Sequence, residues 1–140
     1  MDENLEIWRN TLADEDKRVI RATGLLGRRA VLVVVSGSQL GRSCVVASAA
    51  VVAGRQAGCD LVIDDPLFSR RHFRVSPTDG GDFTIEDLDS KNSTYLNAKR
   101  LTSPVVLHYG DRIVAGTTVL RFFLEEEVER KPGRSREVTA

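Results

Sequence analysis

The sequence predicts an all-β sandwich or barrel preceded by one short helix, and three observations carry that prediction. From Arg29 to Leu124 the chain runs as short apolar or alternating stretches, interrupted by turn residues about every ten positions, the texture of an antiparallel β domain. No long helical period separates those stretches, which argues against βαβ units and a parallel sheet. Before them, residues 1–28 show no strand-like alternation and place Leu5, Trp8, Leu12 and Val19 on one helical stripe, with Glu15 interrupting it.

The N-terminal segment is acidic between Asp2 and Asp16 and basic from Lys17 through Arg18, Arg21, Arg28 and Arg29. Acid early and base late suits the helix dipole. Its apolar stripe is short, so the helix either docks on the body or meets a partner; docking is the commoner outcome, because short helices rarely stand alone. The strand candidates then follow as AVLVVVS, SCVVA, AAVVA, DLVID, FRVS, FTIED, YLN, VVLH, DRIVA and TVLRFFL. Between them lie turn-formers such as Ser36-Gly37-Ser38, Asp64-Asp65-Pro66 and Asp89-Ser90-Lys91-Asn92-Ser93. Asp79-Gly80-Gly81-Asp82 is a good hairpin connection, since glycine accepts positive φ at little steric cost. The end, EEEVERKPGRSREVTA, is charged and broken by Pro-Gly, and reads as a flexible tail. The expected organisation is therefore 1–28 helical extension, 29–124 sandwich and 125–140 tail.

Composition excludes several classes. With 140 residues, one core and its tails are accommodated. The 20 Lys+Arg balance 20 Asp+Glu, leaving no overall electrostatic reason to expect nucleic acid or a membrane surface as partner. Apolar residues at 41% against 29% charged favour a folded chain. No apolar run approaches the roughly 20 residues of a bilayer span. MDENLEIW is acidic and precedes no apolar stretch, so no secretory leader is expected. Cys44 and Cys59 are too few for a disulfide scaffold or a four-cysteine zinc site; a reducing, cytoplasmic setting with both thiols as small core residues is expected. Asp64 and Asp65 lack the further ligands of a metal site and read as part of a turn. No cofactor is expected.

The chemistry concentrates in three loops. Gly54-Arg55 ends one strand, Ser69-Arg70-Arg71-His72 opens another, and Asp89 to Thr94 links two more. Arg55, Arg70 and Lys91 offer cations, Ser69 a hydroxyl, and Asn92 an amide that both donates and accepts. That is a donor set for a dianionic phosphate carried on a peptide: arginine forks onto phosphate oxygens, a hydroxyl adds a bond, and an amide fixes main chain. Loops at one end of a sandwich converge, so residues distant in sequence meet. Plainer readings stand beside each: a surface arginine for Arg55, a turn serine for Ser69, Arg71 facing inward in place of Arg70, and Lys91 pointing to solvent. A catalytic Ser69–His72 pair is rejected, because no Asp partner, oxyanion loop or nucleophile elbow accompanies it; His72 reads as structural and His108 as part of a strand.

The ordered combination of Gly54-Arg55, Asp-Asp-Pro, Ser69-x-x-His72, Ser90-x-Asn92, Leu96-Asn97 and Leu107-x-x-Gly-Asp-x-Ile113 resembles the forkhead-associated (FHA) domain family over residues 30–124. The resemblance implies an eleven-stranded β-sandwich that binds phosphothreonine in a peptide, as readers of phosphorylated motifs do. It implies that Arg55 contacts the phosphate or adjoining backbone, Ser69 donates to the phosphate, Arg70 adds main-chain N–H and charge, and Asn92 holds the peptide backbone. Gly54 and His72 become architectural, with His72 bracing the Ser69 loop. Leu67, two residues before that serine, implies an apolar preference at the third residue after the phosphothreonine.

Three positions depart from the family pattern. Lys91 stands where threonine is usual, Ser93 where glycine is usual, and Asn97-Ala98 where an Asn-Gly turn is usual. If position 93 needs positive φ, serine there carries strain of about 1 kcal/mol or reshapes the loop. The expected function is a non-enzymatic phosphothreonine-binding adaptor in a Ser/Thr kinase pathway, a switch set by the charge of one modified residue. The alternative is a phosphate-independent scaffold or assembly protein. A further reading has phosphorylated Thr11 entering its own pocket or a neighbour's, giving self-inhibition or self-association through the N-terminal segment.

Overall fold

The computed structural model describes residues 28–125, which form eleven strands in two sheets. In chain order these are β1 (Ala30–Ser36), β2 (Ser43–Val46), β3 (Val51–Gly54), β4 (Leu61–Val62), β5 (Phe73–Pro77), β6 (Phe83–Asp87), β7 (Thr94–Leu96), β8 (Lys99–Arg100), β9 (Val105–Val106), β10 (Arg112–Ala115) and β11 (Thr118–Leu124). The six-stranded sheet runs β2-β1-β11-β10-β7-β8 and the five-stranded sheet β4-β3-β5-β6-β9. Described pairings are antiparallel except β3 with β4, which is parallel. The expected eleven-stranded β-sandwich is thus the observed fold. The expected N-terminal helix and C-terminal tail lie outside the described residues.

Alternation builds the core. Ala30, Leu32 and Val34 of β1 face inward beside Leu120 and Phe122 of β11, while Phe73, Val75, Phe83 and Ile85 face them from the other sheet. Burying each large side chain contributes about 1.5–3 kcal/mol. Phe83 and Phe122 meet across the layers with ring centroids 5.7 Å apart. The cysteines depart from the expected core placement in part: Cys44 is half-buried and packs against the core, whereas Cys59 lies half-buried in the β3–β4 loop outside it.

Topology brings one set of connections to one end. The β3–β4, β4–β5 and β6–β7 loops and the β10–β11 turn all leave there, since Ala53 pairs with Phe73 and Leu61, Phe73 with Asp87, and Thr94 with Ala115. The β7–β8 hairpin turns through Asn97 (φ 48°) and Ala98 (φ 72°), the two positive φ values of a type I′ turn. The turn therefore forms without the glycine that favours it.

Candidate functional site

Backbone contact stitches the first two loops together. Arg55 N donates to Ser69 O at 3.0 Å, and Gln56 N to Arg70 O at 3.1 Å. This close approach needs glycine at position 54: a Cβ there would stand 2.1 Å from the Arg70 carbonyl oxygen. The Arg55 side chain folds over the same loop and donates Nε–H to Phe68 O at 3.0 Å. That leaves its terminal nitrogens to meet a ligand.

His72 joins the third loop to the second. It is fully buried, with its ring 4.6 Å from that of Phe68. Its Nδ1 accepts from Ser69 N at 3.0 Å and its Nε2 lies 2.9 Å from Ser93 O. Both contacts are met by the tautomer carrying hydrogen on Nε2, which donates to the Ser93 carbonyl. The imidazole therefore spends both nitrogens on backbone and makes no bond to Ser69 Oγ. That hydroxyl oxygen instead accepts from Lys91 N at 2.9 Å, leaving its hydrogen to donate outward. Asn92 Nδ2 donates to Leu67 O at 2.9 Å, leaving its amide oxygen as an acceptor.

Two aspartates fasten this end, and sequence reasoning missed both. Asp65 is buried at 2% exposure. Its Oδ2 accepts from Thr117 N, Thr117 Oγ1 and Thr118 Oγ1 at 2.8, 2.9 and 2.8 Å, and its Oδ1 from Leu67 N at 2.9 Å. Burial pushes its pKa up, but these hydrogen bonds outweigh burial and hold it below the ordinary value. Asp87 accepts from Ser90 N, Ser90 Oγ and Thr94 Oγ1. There too burial raises the pKa, and the hydrogen bonds from Ser90 and Thr94 outweigh it and bring it down. Asp87, Ser90 and Thr94 were visible as a local polar cluster. The Thr117-Thr118 partners of Asp65 lie more than fifty residues away, and no local pattern signals them.

The loop departures resolve in the backbone. Ser93 takes φ 65°, the left-handed conformation a glycine would supply. Its carbonyl meets His72, and its Oγ accepts from Arg100 Nε at 3.0 Å.

The result is an open cavity of about 410 Å³ lined by all five expected ligand residues, Arg55, Ser69, Arg70, Lys91 and Asn92. Arg71 lines it as well, so the choice between Arg70 and Arg71 is not exclusive. Four cationic side chains and no acidic one surround this space. Leu67 adds an apolar lip, 45% exposed. The arrangement suits a dianion presented on a peptide: guanidinium forks for charge, a hydroxyl donor, and an amide carbonyl for main chain. Gly54 and His72 lie behind the cavity and shape it. Among the described residues, no group of three or more His, Cys, Asp or Glu could hold a metal, and no helix is long and apolar enough to cross a membrane.

Comparison with known proteins agrees with this geometry. The FHA domain family model matches residues 51–116. The FHA domain-containing protein FhaB of Mycolicibacterium smegmatis is 36% identical over 89 residues, covering 64% of this chain and 57% of that protein. The oxoglutarate dehydrogenase inhibitor of Corynebacterium efficiens is 36% identical over 103 residues, 72% of this chain and 70% of its own. An FHA domain solved in a study of phosphothreonine-dependent FHA domain interactions superposes with a TM-score of 0.61 at 26% identity, covering 68% of this chain and 95% of that one. The chain spans less than two thirds of the length of FhaB.

Proposed function

This chain belongs to the FHA domain family, and we propose that it binds phosphothreonine-containing proteins as a non-enzymatic adaptor reading the products of Ser/Thr kinases. The observation that carries this reading is the convergence of Arg55, Ser69, Arg70, Lys91 and Asn92, from three loops, on one cavity without acidic lining. Arg55 and Arg70 take the phosphate charge, with Lys91 adding longer-range attraction. Ser69 donates its free O–H to a phosphate oxygen, and the Asn92 amide holds the peptide main chain. The modified hydroxyl is distinguished from the unmodified one because phosphorylation adds nearly two negative charges and three acceptor oxygens. The relative named for dehydrogenase inhibition supports a regulatory role exerted through binding.

A non-catalytic role is supported by His72, whose two nitrogens are engaged by backbone and not by Ser69 Oγ. Residues 29–124 constitute the binding domain in this reading, with 1–28 and 125–140 as its extensions. The two free cysteines support a cytoplasmic setting. The positive φ adopted by Ser93, the conformation glycine would supply, supports this reading over a reshaped, phosphate-independent pocket.

The test is direct binding of fluorescent phosphothreonine peptide libraries to the full chain, with unmodified threonine, phosphoserine and Arg55→Ala controls. Selective phosphothreonine binding that Arg55→Ala removes supports the reading. Folded protein that binds none of the library rejects it.

A further inference from the structure

We propose that residues 1–16 of this same chain lie across the outer face of the six-stranded sheet as a third layer. An antiparallel sheet with one face in water normally alternates apolar-in with polar-out. Here the outward positions are largely apolar too. Val45, Val31 and Phe123 are cross-strand partners in one row, and Val119, Val114 and Tyr95 form a second. Val45 is 47% and Tyr95 38% exposed. Val31, Val114, Val119 and Phe123 are half-buried, the Phe123 ring meeting that of Tyr109 at 5.3 Å, and exposed apolar positions on an outer sheet face mark an interaction site.

Charge and tethering identify the occupant. Between the two rows, the outward positions of β11 and β10 carry the paired Arg121 and Arg112, and no outward position on β1, β2, β7, β10 or β11 is acidic. Residues 1–16 carry Asp2, Glu3, Glu6, Asp14, Glu15 and Asp16 against the single base Arg9. They also bring Leu5, Trp8 and Leu12 at helical spacing. An acidic segment with an apolar stripe thus faces an apolar surface banded with arginine. The chain enters that sheet at Ala30, immediately before Val31 in the first row. Residues 17–29 span up to about 40 Å when extended, more than the roughly 23 Å length of a seven-residue strand, so the whole face is within reach. Leu124 pairs with Ala30 at that same end, but the sequence that follows it, residues 126–140, offers only two scattered valines and no apolar stripe.

Trp8 is the chain's one tryptophan, so its fluorescence in the full chain reads docking directly. We expect blue-shifted emission, shielded from acrylamide and independent of protein concentration. Arg112→Glu on the face should shift it red and raise the quenching constant severalfold, with circular dichroism and the thermal melt confirming that the sandwich is intact. Val45→Lys on the edge strand should do the same, giving a second readout if one variant folds poorly. High salt should loosen the docked state. Solvent-like emission in the wild-type chain would overturn the proposal. So would shielding that neither substitution moves, or shielding that appears only as a dimer forms, because the face would then be covered by a second copy.

Discussion

Gly54 and Arg70 meet backbone to backbone: a Cβ added at Gly54 would stand 2.1 Å from the Arg70 carbonyl oxygen and 2.8 Å from Cys59 Sγ. The neighbour at 2.1 Å is main chain, and it cannot rotate away as a side chain would. Gly54→Ala must therefore push the Ser69–Arg70 segment outward and break the Arg55 N and Gln56 N hydrogen bonds that hold it. Overpacking of this kind costs about 1–3 kcal/mol, equivalent to roughly 4–8 °C in Tm for each kcal/mol in a domain of this size. Phosphopeptide affinity should fall together with Tm in fluorescence polarisation and thermal melts. A variant that melts normally and binds normally would mean that the close approach does not shape the pocket.

Arg55 should separate binding from folding. It is exposed, and its Nε donates to Phe68 O while its terminal nitrogens are left for a ligand. Arg55→Ala should lower phosphopeptide affinity by roughly 10- to 150-fold, the equivalent of about 1.5–3 kcal/mol for charge-assisted bonds, with Tm shifted by only a few degrees. Arg55→Lys should recover part of the loss, since a point charge replaces a fork. Lys91→Ala should cost less than about fivefold, because an exposed cation contributes roughly 0.2–1 kcal/mol. That smaller loss should shrink as salt rises. Isothermal titration at two ionic strengths measures both.

The ladders were legible in the sequence because their period is local. Ala30, Leu32 and Val34 alternate in β1, and Phe73 and Val75 do so in β5, as a half-buried sheet requires. The five ligand candidates were legible because arginine, serine and asparagine in turn-rich loops limit the chemistry to anion and main-chain recognition. What escaped detection depends on distance along the chain. Asp65 opens the turn the sequence predicts, with Phe68 N donating to its carbonyl at 2.9 Å, but its second role as the buried anchor of Thr117 and Thr118, 52 and 53 residues away, has no local signal. The parallel pairing of β4 with β3 likewise has no local periodicity, since β4 is two residues long. Cys59 looked like core because cysteine usually is buried, but it serves a loop and donates to Arg70 O at 3.1 Å.

Ala98 offers a stabilising substitution away from the site. It is exposed and held at φ 72° in the β7–β8 turn, where a Cβ is strained and glycine is not. Ala98→Gly relieves that strain but gives the unfolded chain more freedom, leaving a net gain of about 0.5–1 kcal/mol. The urea midpoint should rise with an unchanged slope, and phosphopeptide affinity should stay constant. A lower midpoint would show that the Asn97-Ala98 turn carries no strain worth removing.

Leu67 should decide which phosphopeptides bind. Its N–H is held by Asp65 and its carbonyl by Asn92, so its backbone is fixed while its side chain stays 45% exposed at the cavity lip. Such a side chain offers apolar contact and no charge. The wild-type chain should prefer an aliphatic residue at the third position after phosphothreonine, and Leu67→Arg should shift that preference toward acidic residues. A degenerate phosphothreonine library read with both proteins tests this. Strong acidic selection by the wild-type chain would exclude Leu67 as the reading residue.

Asp65 sets the acid limit of the fold and, through Leu67, of the pocket. Its folded pKa lies below the ordinary 3.8 because four hydrogen bonds to the carboxylate outweigh burial. For a depressed carboxyl, the unfolded chain takes up its proton first as pH falls. Its contribution is therefore complete above the ordinary carboxylate range and is lost as pH drops through that value toward the folded pKa. Asp65→Asn keeps the shape but supplies one acceptor oxygen where two were used, and its amide hydrogens confront donors. Leaving buried N–H and O–H groups unpaired should cost about 1–3 kcal/mol at neutral pH. The Tm gap between wild type and Asp65→Asn should be widest near pH 7 and should narrow as pH falls below about 4. Asp87, depressed in the same direction, makes both proteins acid-labile, so the narrowing gap is the signature of Asp65 and not the absolute melt. A gap that stays constant from pH 7 down to pH 2 would show that the Asp65 charge contributes nothing beyond its shape.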